Sequence, residues 1–280
     1  MLSNQQFERA RLLASKLAGI ELVERHRQVL DSRSRRAGIL NGPGWDSLLE
    51  AAEEGESTAT QLLLRLLTIK FTGFFRHPPH FDLAVEHAVR AAQRRGHARL
   101  WSAGAATGEE PYSLVMALVE AFGRDDPPAT ILATEVDVSA LGVAQGGEYS
   151  EASVQGLAPA RRGRFLRKIN ASKRWRVVPA IRRLVEFRAL NLANLEWRIE
   201  GAFDVIFCRN VLMYLEACHR YAVLERMASL LEPDGLLMLD PAEHLGKARH
   251  LFSSGADGVC SRRRASRPGG STPVAASRAR

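Results

Sequence analysis

Two acidic side chains follow a glycine turn in the first half of the chain. Residues 104–112 read Gly-Ala-Ala-Thr-Gly-Glu-Glu-Pro-Tyr, so Glu109 and Glu110 open the helical pattern that follows. A strand, a glycine turn and a helix in this order place backbone N–H groups beside a ligand. The turn has no Lys and matches neither a P-loop nor a dinucleotide fingerprint. Carboxylates there suit a ligand with a cation and hydroxyls, such as S-adenosylmethionine; an ordinary tight turn is the alternative.

Another carboxylate lies at the end of the next predicted strand. The apolar run Ile131–Thr134 is followed by Glu135, Val136 and Asp137. An acid about 20–30 residues after the glycine turn is placed to accept hydrogen bonds from both ribose hydroxyls. Asp137 is better placed to cap the helix that begins near Ser139. We therefore predict Glu135 as the ribose contact, and a helix cap is the alternative for it too.

Polar residues also follow a third apolar run, Phe203–Cys208. Arg209 and Asn210 come directly after it, and Tyr214 lies in the short apolar segment beyond. Ligands of parallel sheets lie beyond the carboxyl ends of the strands, so these side chains should face the same crevice as the carboxylates. A surface ion pair for Arg209 and a core position for Tyr214 are the alternatives that this segment leaves open.

An aromatic and basic segment, residues 72–81, precedes the first predicted strand. It reads Thr-Gly-Phe-Phe-Arg-His-Pro-Pro-His-Phe. Its adjacent phenylalanines could cover a flat adenine ring, and Arg76 could hold a carboxylate. His77 and His80 are three residues apart, but no cysteine or further acidic ligand accompanies them, so we predict no metal site.

The hydrophobic pattern changes near residue 70. Residues 1–70 have apolar positions at helical spacing, which predicts a helical module. Over residues 71–252, apolar runs alternate with helical patterns, which predicts an α/β domain with a mostly parallel sheet. A basic stretch at about 150–185 interrupts the alternation and is predicted to be an inserted β-subdomain. Residues 253–280 are rich in Gly, Ser, Arg and Pro, which predicts a disordered tail. The predicted strands are Leu100–Ala103, Thr130–Thr134, Leu184–Phe187, Phe203–Cys208 and Leu236–Leu239.

Charge and composition limit the partners and the compartment. The formal net charge is +8, and residues 161–183 carry ten basic residues and no acid. Such a field favours an acidic partner, with a solvated Arg-rich face as the alternative. Few aromatics accompany these charges, so no nucleic acid is expected. The sequence has no apolar run of the roughly 20 residues that cross a membrane. Its three cysteines lack metal spacing, so we expect a cytoplasmic protein.

In order and spacing, these segments resemble the CheR-type chemotaxis receptor methyltransferases. The resemblance rests above all on Trp-Ser-Ala-Gly…Thr-Gly-Glu-Glu-Pro-Tyr-Ser, which begins at Trp101, and on Phe-Cys-Arg-Asn-Val…Tyr, which begins at Phe207. It runs from about Phe7 to Leu245. It implies a Rossmann-like class I methyltransferase sheet with an N-terminal helical module and a small inserted β-subdomain. It also implies methyl transfer from S-adenosylmethionine to glutamate side chains of chemoreceptors, with S-adenosylhomocysteine as product and no metal.

The resemblance further implies which residues bind the cofactor. Glu109 would take the methionine ammonium, with Glu110 as the second choice, and Glu135 would bind the ribose. Asn191 and Leu192 would border the adenine. The remaining contacts would come from Thr72, Arg76, Arg209 and Asn210.

Residues for the substrate follow from the same resemblance. Tyr214 and Arg90 match positions that would orient the substrate glutamate. A basic cluster in the helical module would face the cytoplasmic helix bundle of a chemoreceptor, and it consists of Arg33, Arg35 and Arg36. The expected protein is a monomer.

The chain departs from the family pattern at several places, including Glu135, where the family usually has Asp at the ribose. Lys70 stands where many relatives have Asn, and a cation near a sulfonium is unfavourable unless it points away. The family's Gly-His-Ser-Glu-Asn ending appears here as Asp-Pro-Ala-Glu-His at 240–244. The alternatives are therefore a degenerate binding module with little turnover, or a methyltransferase with another substrate.

Overall fold

The computed structural model describes residues 2–38, 42–68, 70, 72–169, 173–194 and 196–263. In this part of the chain the α-helices are α1 (Asn4–Ala18), α2 (Arg27–Arg36), α3 (Gly42–Glu53), α4 (Ser57–Leu67), α5 (Pro78–Arg95), α6 (Glu109–Phe122), α7 (Val138–Gly146), α8 (Glu151–Val154), α9 (Pro159–Phe165), α10 (Pro179–Arg182) and α11 (Ala217–Leu230). The strands are β1 (Ala98–Ala103), β2 (Ala129–Glu135), β3 (Glu148–Ser150), β4 (Leu166–Ile169), β5 (Arg174–Val177), β6 (Val185–Ala189), β7 (Phe203–Phe207), β8 (Leu231–Met238), β9 (Phe252–Ser254) and β10 (Val259–Arg262).

A seven-stranded sheet forms the centre of the molecule, in the order β6-β2-β1-β7-β8-β10-β9. Strands β6, β2, β1, β7 and β8 are parallel, and β10 and β9 extend the sheet antiparallel. The predicted alternation of strands and helices is therefore confirmed, with shifted element ends. Parallel pairing puts the carboxyl ends of five strands at one edge, where ligands of such sheets bind.

Both faces of the parallel strands are covered, which explains why these strands read as continuous apolar runs. One face packs against α5 and α6 through residues such as Phe81 and Tyr112. The other packs against α11 and the segment after β6, through Leu224 and Trp197. The Trp197 ring lies edge-on to Trp101 of β1, with ring centroids 5.3 Å apart.

Helices α1 to α4 bury a separate apolar cluster that includes Phe7, Leu49 and Leu63. These helices also touch the loop after β7. The Glu21 N–H donates to the Tyr214 carbonyl at 2.8 Å, and the Glu216 N–H donates to the Gly19 carbonyl at 2.8 Å. Two backbone hydrogen bonds thus join the N-terminal helices to the carboxyl edge of the sheet.

Strands β3, β5 and β4 form a second, antiparallel sheet in that order. Many of the basic residues predicted to favour an acidic partner have acidic neighbours here. Arg161 binds both carboxylate oxygens of Glu120, and Arg174 and Arg176 pair with Glu148. Intramolecular pairing therefore accounts for part of this charge.

The disordered tail was predicted to begin at residue 253, but the ordered structure continues beyond that residue. Residues 252–262 form β9 and β10, and Cys260 in β10 is buried beside β8. The prediction was wrong for this segment because its apolar residues, Phe252, Val259 and Cys260, are spaced for short edge strands within a polar composition. Residues 264–280 lie outside the described part of the chain. Among the described residues, no helix has the length and apolar character needed to cross a bilayer.

Candidate functional site

A cavity lies at the carboxyl ends of the parallel strands. Segments after β1, β2, β6 and β7 form its floor, and the N-terminal helices contribute Ala18, Ile20 and Leu67. Gly104 follows β1 with φ of +80°, and a side chain there would collide with Val211. The predicted residues that line the cavity are Thr72, Arg76, Glu135, Asn191, Leu192, Arg209, Asn210 and Tyr214.

The acid that faces the cavity from the start of α6 is Glu110. One of its oxygens accepts a hydrogen bond from the Ser102 hydroxyl at 2.8 Å, and the other lies 3.5 Å from Nη1 of Arg209. Burial raises the pKa of Glu110, and the charge of Arg209 opposes that rise. The cavity therefore contains a carboxylate held in place by a hydroxyl and a buried cation.

Glu109, the residue chosen from the sequence, does not line this cavity. Its carboxylate accepts a hydrogen bond from the Thr107 hydroxyl at 2.7 Å, and burial raises its pKa. Successive helical residues point about 100° apart, so only one of two adjacent acids can face a given cavity. The structure thus corrects the predicted order of preference and brings Glu110 to the site.

Glu135 lies at the end of β2 and is fastened to the backbone around it. Its Oε2 accepts the Ala106 N–H at 2.9 Å, and its Oε1 accepts the N–H groups of Val136 and Asp137 at 2.9 and 3.0 Å. Burial raises its pKa, while these N–H donors favour the ionised form. A carboxylate offers about four lone-pair positions, so capacity for a further donor remains. Asp137 caps α7 as predicted, accepting the Ser139 N–H at 2.8 Å.

Arg209 is buried and extends across the site. Its Nη2 donates to the Arg76 carbonyl at 2.7 Å, while its Nε and Nη1 are buried without a hydrogen-bond partner in the described structure. Burial lowers the pKa of Arg209, and Glu110 opposes that change. The guanidinium therefore ties the aromatic and basic segment to β7 and retains donor capacity for a ligand carboxylate.

The two adjacent phenylalanines do not serve the predicted role. Phe74 packs edge-on against Tyr149, with centroids 4.9 Å apart, and Phe75 packs against Phe81 at 5.2 Å. Both belong to the core beneath α6, and the aromatic ring of this segment that lines the cavity is Phe81.

The far wall of the cavity joins the sheet to the first helix. The Asn191 side chain donates to the Leu17 carbonyl at 2.6 Å and accepts the Ala193 N–H at 3.0 Å. Leu192 beside it is buried. The side-chain bonds of Asn191 are thus used to hold this wall, and Leu192 supplies an apolar surface.

Of the two residues predicted to orient the substrate, the structure brings only Tyr214 to the cavity. Its side chain is half-buried, and burial raises its pKa, so the hydroxyl keeps its proton at neutral pH. Arg90 lies on the exposed side of α5 and pairs with Glu86 at 2.6 Å. Arg90 therefore does not line the cavity, and its role in orienting the substrate stays a prediction.

The basic cluster of α2 has divided roles. Arg33 donates to the carbonyls of Leu66 and Thr68 at 2.8 and 2.7 Å, and so closes the end of α4. Arg35 donates to the Asp31 carbonyl at 3.2 Å. Arg36 is exposed and lines a groove with Arg65 and Lys70, and the described residues along this groove include no acid. We call this concavity, formed by Arg33, Arg36, Arg65 and Lys70, the basic groove.

Glu243 is a structural residue of the site that the sequence reasoning missed. Its carboxylate accepts the N–H groups of Asn210 and Val211 at 2.9 Å each, of Asp240 at 3.0 Å and of Met213 at 3.3 Å. It therefore fixes the loop after β7 to the loop after β8. The available signal was its place in the 240–244 segment, where the Glu of the family ending is retained while the other four residues differ.

The residues of the cavity fit S-adenosylmethionine. Glu110 offers a partly buried carboxylate for an ammonium, Glu135 offers acceptors for ribose hydroxyls, and Arg209 offers unused donors for a carboxylate. These three side chains are suited to the polar groups of S-adenosylmethionine, and the apolar wall of the cavity suits its adenine.

Comparison with known proteins identifies the family of this chain. The family model described as "CheR methyltransferase, SAM binding domain" matches residues 70–257. "Chemotaxis protein methyltransferase 2" of Pseudomonas aeruginosa is 40% identical over 256 residues, covering 90% of this chain and 91% of that protein. The chemotaxis protein methyltransferase of Salmonella typhimurium is 34% identical over 258 residues, covering 90% and 88%. This chain therefore belongs to the CheR methyltransferase family, whose cofactor is S-adenosylmethionine.

Proposed function

We propose that this protein methylates glutamate side chains of chemoreceptors and forms glutamate methyl esters. The observation that carries the proposal is the continuity between the cavity and the basic groove, which share Thr68 and Lys70. A methyl donor in the cavity would then lie beside a surface suited to an acidic protein segment. The names of the relatives, chemotaxis protein methyltransferases, support the same acceptor class.

The reaction needs little from the protein beyond binding and alignment. S-adenosylmethionine supplies a methyl group activated by a sulfonium, and the neutral thioether S-adenosylhomocysteine leaves. A glutamate carboxylate with an ordinary pKa near ~4.3 is already ionised at neutral pH, so no general base is required. The rate enhancement then comes mainly from proximity and orientation of the two reactants.

The residues of the cavity divide this work among them. We assign the donor ammonium to Glu110 and the ribose hydroxyls to Glu135. Arg76 and Arg209 are placed to bind the donor carboxylate, because both line the cavity and Arg209 has unused donors. The protonated hydroxyl of Tyr214 can donate to the incoming glutamate and so orient it.

The receptor surface is assigned to Arg36 and Arg65 in the basic groove. Replacing each with Gln should raise KM for the receptor about three- to tenfold, because exposed charges act mainly through association. The effect should shrink as salt rises. The affinity for S-adenosylmethionine should not change. Receptor titrations at two ionic strengths measure this.

Arg11→Gln is the matched control for the groove variants. Arg11 is an exposed arginine of α1 that pairs with Glu8, outside the groove. If all three variants raised KM equally, a general charge effect would replace the specific surface proposed here.

The proposed reaction is tested by incubating the protein with radiolabelled S-adenosylmethionine and cytoplasmic fragments of candidate receptors. We expect label in base-labile methyl esters at mapped glutamates, and its loss when those glutamates are changed to Ala. Label that resists mild base, or label in added DNA or small molecules, would contradict the proposal. We also expect a cytoplasmic monomer, which sedimentation and fractionation can check.

The departures that favoured a degenerate binding module are accommodated by the structure. The ammonium of Lys70 forms an ion pair with Asp137. Strands β9 and β10 complete the sheet beyond the altered 240–244 segment, and Glu243 keeps its four backbone contacts. We therefore favour an active enzyme.

A further inference from the structure

One cation of the cavity wall, Lys70, takes no part in the donor contacts assigned above. It lies between α4 and α5 and lines the same cavity as Glu135. Its ammonium forms an ion pair with the carboxylate of Asp137, at the start of α7. The pair therefore connects two sides of the cavity that are far apart in the sequence.

The two carboxylate oxygens of Asp137 make different contacts. Its Oδ1 caps α7, accepting the Ser139 N–H at 2.8 Å and the Ala140 N–H at 3.3 Å. Its Oδ2 forms the ion pair with Lys70 and has no other hydrogen-bond partner in the described structure. Burial would raise the pKa of Asp137, but the contacts from Lys70 and Ser139 lower it, so the carboxylate is ionised.

Other cations of the cavity wall are also balanced by acids. Nη1 of Arg209 lies 3.5 Å from Glu110, and Nη2 of Arg76 lies 3.8 Å from Asp240. Balance matters in this cavity because the donor and the product differ in charge. The sulfur of S-adenosylmethionine is positive, whereas the sulfur of S-adenosylhomocysteine is neutral. In both molecules the sulfur is bonded to the 5′ carbon of the ribose. A charge near Glu135, the proposed contact of the ribose, therefore acts on the sulfur.

We propose that Asp137 neutralises Lys70 and thereby sets the preference of the cavity for the cationic donor over the neutral product. An unbalanced ammonium at Lys70 repels the sulfonium and leaves the thioether unaffected. An unbalanced carboxylate at Asp137 attracts the sulfonium and again leaves the thioether unaffected. The pair is thus a specificity determinant for donor against product. It depends on donor binding in this cavity, and it holds for any methyl acceptor.

The test is the ratio of dissociation constants, Kd for S-adenosylmethionine divided by Kd for S-adenosylhomocysteine, measured by calorimetry on the full chain without receptor. Asp137→Asn should raise this ratio about five- to twentyfold, as expected for one unbalanced charge at partly solvated distance. Lys70→Met should lower it by a similar factor. The double variant should return it to within about twofold of the wild-type ratio. Asn is also a good helix cap, so α7 keeps its N-terminal hydrogen bond.

Controls separate this charge effect from a loss of structure. Arg124 and Asp126 form an exposed ion pair that does not line the cavity, so Arg124→Met and Asp126→Asn should leave the ratio unchanged. Equal weakening of both ligands in the Lys70 and Asp137 variants would overturn the proposal, because a structural role alone predicts that result. An unchanged ratio in both single variants would overturn it as well. If the two single variants shifted the Kd ratio in opposite directions but the protein methylated no receptor, this inference would stand. Only the proposed methyl acceptor would then be contradicted.

Discussion

Glu110→Gln should weaken the binding of S-adenosylmethionine about 30- to 150-fold, whereas Glu109→Gln should change it less than about threefold. The expected loss corresponds to about 2–3 kcal/mol, typical for a buried charged hydrogen-bond partner. Glu110 lines the cavity and is positioned by Ser102 and Arg209. Glu109 contacts Thr107 instead. Calorimetric titration of both variants measures the difference.

Glu109→Gln is a closely matched control, because the two acids are adjacent in the same helical turn, with Glu109 buried and Glu110 partly buried. Glu110→Gln also removes the charge partner of Arg209, so thermal unfolding without ligand must be recorded to confirm that the variant is folded. A larger loss of affinity in Glu109→Gln than in Glu110→Gln would contradict the assignment and restore the choice made from sequence.

The pH dependence of binding gives an independent check on Glu110. Burial raises the pKa of Glu110, so the carboxylate takes up a proton at higher pH than an exposed glutamate does. Protonation removes the negative charge that binds the ammonium. Affinity should therefore fall as the pH is lowered through this raised pKa. The donor amino group keeps its charge below about pH 7. The Glu110→Gln variant should lack this acidic fall, and an identical fall in the variant would assign the titration elsewhere.

Glu243→Gln should lower the free energy of unfolding by about 3 kcal/mol. One carboxylate there accepts four backbone N–H groups, and an amide would turn its own N–H₂ toward some of them. Buried donors left without an acceptor cost about 1–3 kcal/mol each, and partial relaxation reduces the sum. For a protein of this size the midpoint temperature should fall by about 6–12 °C. Urea or thermal unfolding measures the change.

The same substitution should also impair donor binding, because Asn210 and Val211 line the cavity and are held by Glu243. Glu225→Gln is the control, since Glu225 lies exposed on α11 and accepts a 3.3 Å hydrogen bond from Tyr221. Equal stability of the Glu243 and Glu225 variants would show that the two loops are held by other contacts.

Much of the site could be predicted because it depends on local order along the chain. A buried strand, a turn and a helix follow from apolar spacing and glycine positions, and the polar residues just after each strand must then lie at one edge of the sheet. Glu135, Arg209 and Asn210 are of this kind. The 72–81 segment was also located correctly, although its phenylalanines pack into the core.

Other assignments depended on the direction of a side chain within a helix. Glu109 and Glu110 have the same chemistry, and only the phase of α6 against the sheet selects Glu110. Arg33 and Arg36 lie one helical turn apart, yet Arg33 closes the end of α4 while Arg36 stays exposed. Arg90 is of a residue type that suits a binding site, but it lies on the outer face of α5. When a helix is only weakly amphipathic, sequence spacing alone does not determine which of its faces packs against the sheet.

The sequence by itself determined the family, the order of strands and helices, and the strand ends that carry polar residues, because hydrophobic periodicity and motif spacing are local properties. Only the tertiary structure decided which of two adjacent acids faces the cavity and which residue neutralises Lys70. It also showed that residues 252–262 complete the sheet. These outcomes depend on contacts between segments distant in the chain, whose energies arise only when the elements pack together.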